Sequence, residues 1–323
     1  MGIANRQTSV QTHPKTRTQE ILPSRPIVTS DMVFLLLALT CSVLLGFIFK
    51  LFARFQIDGF QAIVFNYVTC FLCGWIHLGH FPLTADHFDA PWMPYAGILG
   101  LVFVSGFNLA ALTVRHFGVT IGQILQKMSI LLSVPFAVLV YHESAGFWKI
   151  CGFLFALCAI VLVNWPKRKS AQTPAGAPAA PNLLWIPLGT WLLAGLLEIL
   201  LVRVQKENLT DMSNPTFIIT VFGTAGMVGG ALAVLGWVTG RLRFAPRYVL
   251  AGIILGIPNY GSMFFMLRAL DSGLEGSFVF PVANVGIIVA TTIGAVTLFA
   301  EKLSSLNWLG IALAILAIGL MTT

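Results

Sequence analysis

Two charged residues stand out deep inside long apolar stretches of this 323-residue sequence, and they are the strongest candidates for chemistry. Lys127 follows Gln123 by one helical turn, and Gln126 directly precedes it, which gives a short polar stripe. Glu198 lies inside a second apolar stretch. A charge in lipid costs about 2.5–3.5 kcal/mol even on a lenient insertion scale, so each group must face protein or a water-filled cavity. Lys127 would suit a carboxylate or phosphate, and Glu198 would suit proton coupling.

A structural ion pair between Lys127 and Glu198 is the alternative interpretation. Lys127 lies near the middle of its apolar segment, whereas Glu198 lies ~7 Å past the middle of a segment that runs in the same direction. An axial offset of roughly 10 Å allows a direct pair only with helix tilt and an extended lysine. Both interpretations stay open on the sequence.

Neutral polar residues in other apolar segments form a secondary set of site candidates. Asn108, Asn259 and Tyr260 would line a site behind the two charges, with Pro258 introducing a kink. A hydrogen bond between helices is the alternative for each of them.

No pattern in the sequence indicates an enzyme, a cofactor or a metal centre. The five cysteines all lie in apolar segments, and Cys70-x-x-Cys73 has no second pair or histidine cluster beside it, so we predict that they pack as small hydrophobes without disulfides. A Walker-type nucleotide-binding loop and a serine–histidine arrangement are both absent from the sequence.

The composition explains why charges inside apolar segments matter. The chain is 57% hydrophobic and 10% charged, with a mean hydropathy of +0.86, whereas soluble domains carry roughly 25% charged residues. The net charge of +7 is spread over the termini and short loops, which indicates membrane orientation and not nucleic-acid binding. The fold class that follows is an all-α integral membrane protein.

Ten segments have about the length that a bilayer crossing requires. We predict transmembrane helices over residues 32–52, 60–78, 93–114, 119–141, 146–165, 183–204, 216–238, 249–267, 276–299 and 305–322. The segment 1–31 is a polar, proline-containing tail that we expect to be disordered, and 166–182 is a basic linker rich in proline and alanine. The linker separates two five-helix halves, 32–165 and 183–323.

The two halves repeat each other. A shift of 158 positions places Glu143 over Glu301 and Gly152 over Gly310, with six identities in the 20 positions from 143 to 162. An odd number of spans per repeat makes the second half enter the membrane from the opposite side, which gives the inverted repeat found in many secondary transporters.

These features resemble the ten-helix EamA-type permeases of the drug/metabolite transporter superfamily. The resemblance covers about residues 32–322 and rests on a short-loop glutamate before a Gly-x-x-x-Ala helix in each half. It implies transport of small metabolites or drugs, often outward and coupled to protons or exchange, with both termini in the cytoplasm. The count of Lys and Arg favours the opposite orientation, with six on the side of the N-terminus and nine on the other.

The sequence therefore predicts a secondary transporter for a small anionic or zwitterionic solute, working by alternating access in a bacterial inner membrane. A flippase for a lipid-linked phosphate or headgroup is one alternative, and a membrane scaffold that transports nothing is another. The expected partners are a small molecule and membrane lipid, without nucleic acid or a cofactor. The sequence does not distinguish a monomer from a homodimer.

Overall fold

A computed structural model describes residues 29–117, 119–165, 183–212, 214–299 and 303–322. Most of the predicted tail (1–31), the linker (166–182) and Glu301 lie outside these ranges. The described residues contain helices and no strands, and the first helix already begins at Thr29. The all-helical fold class is confirmed.

The helix bounds agree with the predicted spans to within a few residues. The helices are α1 (Thr29–Arg54), α2 (Gly59–Leu78), a short 3₁₀ helix (Ala85–Asp89), α3 (Met93–Phe117), α4 (Val119–Lys127), α5 (Ile130–Tyr141), α6 (Phe147–Val163), α7 (Trp185–Lys206), α8 (Pro215–Val238), α9 (Pro246–Asp271), α10 (Gly276–Phe299) and α11 (Ser305–Met321). Eight segments of the described chain are long and apolar enough to cross a membrane, with α4 and α5 counted as one of them. The helices α6 and α11 have 17 residues each, about the shortest length that spans a bilayer.

The fourth span differs from the prediction of one continuous helix over 119–141. It consists of α4 and α5, with a break at Met128 and Ser129. The indole Nε1 of Trp191 on α7 donates to the carbonyl oxygen of Met128 at 2.9 Å. The same carbonyl also accepts from the backbone N–H of Leu131 at 3.0 Å, so the indole adds a second hydrogen bond at the break.

The two halves pack with the exchange of partners that a twofold relation requires. In the first half, α3 packs on α7 and α8 of the second, and α9 of the second half packs on α1 and α2 of the first. The helices α2 and α8 pack on each other, as do α6 and α11. These helix pairs form the interface between the repeats.

The interface of α6 and α11 shows the twofold relation at single residues. A Cβ on Gly152 would stand 2.8 Å from Met321 Cγ, and a Cβ on Gly310 would stand 2.7 Å from Val163 Cγ2. The shift of 158 positions that aligns the two glycines also aligns Val163 with Met321. The Gly-x-x-x-Ala motif of each half therefore allows the same close approach of the two helices.

Candidate functional site

Glu198 is the centre of a buried hydrogen-bond network that joins both halves. It is on α7, and its Oε1 accepts from Ser129 Oγ at 2.8 Å and from Asn284 Nδ2 at 3.0 Å. Its Oε2 accepts from Ser133 Oγ at 2.5 Å. Each of these four side chains is less than 10% exposed. Three donors from two other helices replace the water that the carboxylate would lose in the membrane.

The broken fourth span explains why the two serines reach Glu198. Ser129 lies at the break, and Ser133 follows one turn later on the same face of α5. Gly195 lies one turn before Glu198, and a Cβ there would stand 2.4 Å from Leu132 Cδ1. The missing side chain therefore brings α7 close enough to α5 for the carboxylate to meet both hydroxyls.

Lys127 contacts Glu198 only through Asn284. The lysine Nζ donates to Asn284 Oδ1 at 3.1 Å, while the amide nitrogen of the same asparagine donates to Glu198. The two charged groups form no direct ion pair within 4.0 Å, although both are in described parts of the chain. The direct pair considered on the sequence is thus absent. We call Lys127, Ser129, Ser133, Glu198 and Asn284 the central network.

The two glutamines predicted beside Lys127 lie on the exposed part of α4. Gln123 and Gln126 are both exposed, whereas Lys127 is partly buried. Gln123 shares the face of Lys127, and Gln126 is turned by about 100° from it. Their role in the site stays a prediction.

Asn259 and Tyr260 take part in a second set of contacts, between α9 and α2. Asn259 Nδ2 donates to Asn66 Oδ1 at 3.1 Å, and the hydroxyl of Tyr260 lies 2.8 Å from His77 Nδ1. Asn108 Nδ2 donates to the carbonyl of Val104 in its own helix, at 2.8 Å. The structure therefore places these three residues in bonds that support helices, while their part in substrate binding stays a prediction.

The cysteine pair on α2 has neighbours that suit packing. The thiol of Cys70 lies 3.3 Å from the carbonyl oxygen of Gly256 and 3.8 Å from Asn66 Oδ1. All five cysteines carry free thiols. Within the described ranges, no group of three or more His, Cys, Asp or Glu side chains could hold a metal ion.

A second charged cluster lies at the membrane end that carries both termini. Glu143, in the loop between α5 and α6, accepts from the backbone N–H of Gly276 at 3.1 Å and of Ser277 at 2.8 Å. It also pairs with Lys206 Nζ at 2.9 Å. A carboxylate at a helix N-terminus is favoured by the free N–H groups there, so this loop of the first half caps α10 of the second.

A matching contact from the second half to the first completes the cluster. Glu275, just before α10, accepts from the backbone N–H of Ser144 at 3.1 Å and pairs with Lys149. Each loop thus contributes a glutamate to the other half. We call Glu143, Ser144, Lys149, Lys206 and Glu275 the termini-side cluster.

The sequence indicates Lys127 and Glu198 as candidates for the site, but it gives no comparable signal for Ser129, Ser133 or Asn284. A charge in an apolar segment is visible in one sequence, whereas a serine usually bonds to its own helix. The sequence gives no signal that Ser129 and Ser133 instead reach a carboxylate 69 and 65 positions away.

Comparisons with known proteins agree with this architecture. Residues 32–165 match the model of the EamA-like transporter family. An uncharacterized protein of Haemophilus influenzae is 27% identical over 294 residues, which cover 88% of this chain and 95% of that protein. A solved crystal structure with 17% identity superimposes with a TM-score of 0.68 over 90% of this chain and 96% of its own, which shows a shared fold. The chain is therefore a multi-pass membrane protein, and its residues 32–165 are similar to the EamA-like transporter family.

Proposed function

We propose that the protein is a secondary transporter that moves a small anionic or zwitterionic metabolite or drug-like compound across a bacterial inner membrane. The observation that carries this proposal is the central network, in which a lysine and a glutamate share one asparagine inside the membrane. Groups of this kind are costly in lipid and are typical of substrate and proton pathways. The match to a transporter family supports the assignment as a transporter, and the bacterial relative supports a bacterial membrane as its location.

The ammonium of Lys127 is the anchor for the acidic group of the substrate. Among the described residues it makes a single hydrogen bond, to a neutral amide, and it has three N–H donors. Glu198 is the coupling group, because it can exchange a proton while its neighbours remain in place. Export of the substrate in exchange for protons then draws its energy from the proton gradient and needs no nucleotide.

Alternating access fits the way the two halves meet. The termini-side cluster joins the halves at one end of the bundle through the exchange of Glu143 and Glu275. Access from that end requires these bonds to break, and they reform when the opposite end opens. Rocking of one repeat against the other around a central site is the corresponding motion.

Thermal stabilisation of the purified protein tests the proposal. The wild type and Lys127→Ala would be heated at two pH values with a panel of carboxylate- and phosphate-bearing metabolites, beside amine controls. A ligand at 100 times its Kd adds about 2.7 kcal/mol to the stability of the native state, so weak substrates register at high concentration. We expect an anionic compound to stabilise the wild type and not the variant. Equal stabilisation of both would contradict the assignment of Lys127.

A flippase for a lipid-linked phosphate is the second candidate, and a crevice between α1 and α9 favours it. The crevice has a volume of about 590 Å³, and its walls include Cys41, Leu44, Ile254 and Phe265. Such an apolar cleft would accept an acyl chain from the bilayer. Stabilisation by a phospholipid and by none of the soluble metabolites would favour this candidate.

A further inference from the structure

Asn284 is the residue through which the two charges of the central network communicate. It lies on α10, three residues after Pro281, and its side chain is buried. The amide oxygen accepts from Lys127 and the amide nitrogen donates to Glu198. Both ends of one neutral side chain are thus used by groups of opposite charge.

Chemistry fixes the orientation of this amide while Glu198 is ionised. A carboxylate only accepts hydrogen bonds and an ammonium only donates them, so the NH₂ end must face Glu198 and the oxygen must face Lys127. If the amide rotated by a half-turn, its NH₂ group would face the ammonium of Lys127, which also only donates. Its oxygen would face the carboxylate of Glu198, which also only accepts. The observed orientation is the one that satisfies both neighbours.

Protonation of Glu198 removes the reason for this orientation. A protonated carboxyl group carries an O–H donor that needs an acceptor, and the oxygen of Asn284 becomes one if the amide rotates. The same rotation withdraws that oxygen from Lys127. The ammonium then loses its hydrogen bond to the described chain and is available to an acidic group of the substrate.

The other charged groups on the helices that form the central network lie near the end of α7. The sequences of α4, α5 and α10 include one charged residue, Lys127. The helix α3 also packs on α7. Its basic residues are Arg115 and His116, and both lie in its last turn. On α7 itself, Arg203 and Lys206 lie more than one turn beyond Glu198 and near its end.

We propose that Asn284 is a positioning residue that couples protonation of Glu198 to substrate binding at Lys127 by rotating its amide between the two. This inference rests on the proposed function, and it adds the residue that links the proton to the substrate. A competing route uses the serines, because the hydroxyls of Ser129 and Ser133 can donate to their own helix and accept from the protonated acid. That route does not involve Lys127.

A double-mutant cycle read by infrared spectroscopy separates the two routes. The full-length protein in lipid would be titrated from alkaline to acidic pH while the carboxylic-acid band of Glu198 is recorded, the band being identified by its loss in Glu198→Gln. The midpoint would be compared in the wild type, Lys127→Met, Asn284→Leu and the double variant. Asn66→Leu, which removes another buried asparagine, provides the matched control.

If Asn284 transmits the interaction, Lys127→Met moves the midpoint by about one pH unit in the wild-type and Asn66→Leu backgrounds, because the ammonium no longer holds the amide in the orientation that donates to ionised Glu198. In the Asn284→Leu background the same change has much less effect. An equal shift in all backgrounds would show that the two charges interact directly through space, and would overturn the coupling role of Asn284.

A substitute variant and the wild-type titration itself distinguish the remaining outcomes. If Asn284→Leu does not fold, Asn284→Ser replaces it, because the short hydroxyl cannot reach both partners, and the same outcomes apply. A wild-type band that does not change with pH would overturn proton coupling in the proposed function together with the relay. A band that titrates with equal shifts overturns the relay alone and leaves the proposed function intact.

Discussion

Glu198 illustrates what a single carboxylate requires inside a membrane. Its two oxygens accept three hydrogen bonds, from Ser129, Ser133 and Asn284, within a site that excludes most water. A buried charge that loses a partner becomes uncompensated, which costs more than the bond itself contributes. Each donor therefore has a measurable effect on stability.

Ser133→Ala should lower the stability of the protein more than another serine substitution of the same size. A hydrogen bond to a charged group contributes about 1.5–3 kcal/mol, and Glu198 Oε2 would lose its bond from Ser133. Ser262→Ala is the control, because Ser262 Oγ bonds to the carbonyl of Asn259 in its own helix. Thermal unfolding in the same detergent compares the two, and equal midpoints would contradict the importance of this bond.

Among single residues, the sequence identifies charged members of the candidate site better than neutral polar ones. Lys127 and Glu198 stand out because an apolar segment rarely tolerates a charge. Asn284 lies 157 positions from Lys127 and 86 from Glu198, and only the packing of α10 against α5 brings the three together. No local pattern encodes such a contact.

Among the helices, the interface of α2 and α9 depends on two small residues. A Cβ on Gly256 would stand 2.5 Å from Thr69 Cβ, and one on Gly252 would stand 2.4 Å from Phe65 Cβ. Real Cβ atoms do not approach this closely, so the glycines set the distance between the helices. The Gly-x-x-x-Gly spacing visible in the sequence is here a true packing motif.

Gly256→Ala should destabilise the protein, whereas Gly230→Ala should be tolerated. Overpacking of this kind costs about 1–3 kcal/mol, because Thr69 or the helix backbone must shift. Gly230 belongs to a similar motif on α8, but a Cβ there would meet nothing within 4 Å. The two thermal midpoints in one detergent provide the measurement. A larger loss at Gly230 would mean that the helix contacts differ from those described.

The termini-side cluster should weaken in acid through Glu275. Burial raises the pKa of this carboxyl, but hydrogen bonds from Lys149 and Ser144 outweigh it, so its pKa lies below the ordinary value. A lowered folded-state pKa gives a contribution to stability that is complete above the ordinary value of about 4.3, and it is lost as pH falls through the folded-state value.

Thermal midpoints measured from pH 3 to pH 7 test this dependence. The lower limit is about one unit below the ordinary carboxyl pKa, and the upper limit is well above it. The wild type should lose stability at the acidic end of the range, and Glu275→Gln should show a flatter profile. Asp89→Asn, an exposed carboxylate at the same membrane end, is the control and should follow the wild type. Parallel profiles for the wild type and Glu275→Gln would contradict the stabilising role of this group.

The helix bounds could be predicted because apolar length and terminal signals are local. Pro215 at the start of α8 and Gly79 after α2, which has a φ of 77°, are examples of such signals. The break between α4 and α5 could not be predicted in this way. Neither Gly nor Pro occupies positions 128 and 129, and the stabilising indole of Trp191 lies 63 positions away.

The whole molecule is organised by the relation between its two halves. The sequence repeat is visible where both halves retain a glutamate and a glycine, at Glu143 and Gly152 and at Glu301 and Gly310. The structure adds that helices exchange partners across the halves and that the loop of one half caps a helix of the other. Since the central network also takes residues from both halves, motion between the halves changes its geometry.

The most direct test of this account follows proton movement during transport. Proteoliposomes would contain a pH-sensitive dye and either the wild type or Glu198→Gln, and the anionic compound that stabilises the wild type most would be added outside. We predict that the wild type moves protons when the compound is added, and that Glu198→Gln exchanges labelled compound without moving protons. Equal proton movement by both proteins would contradict the central claim that Glu198 couples the proton to the substrate.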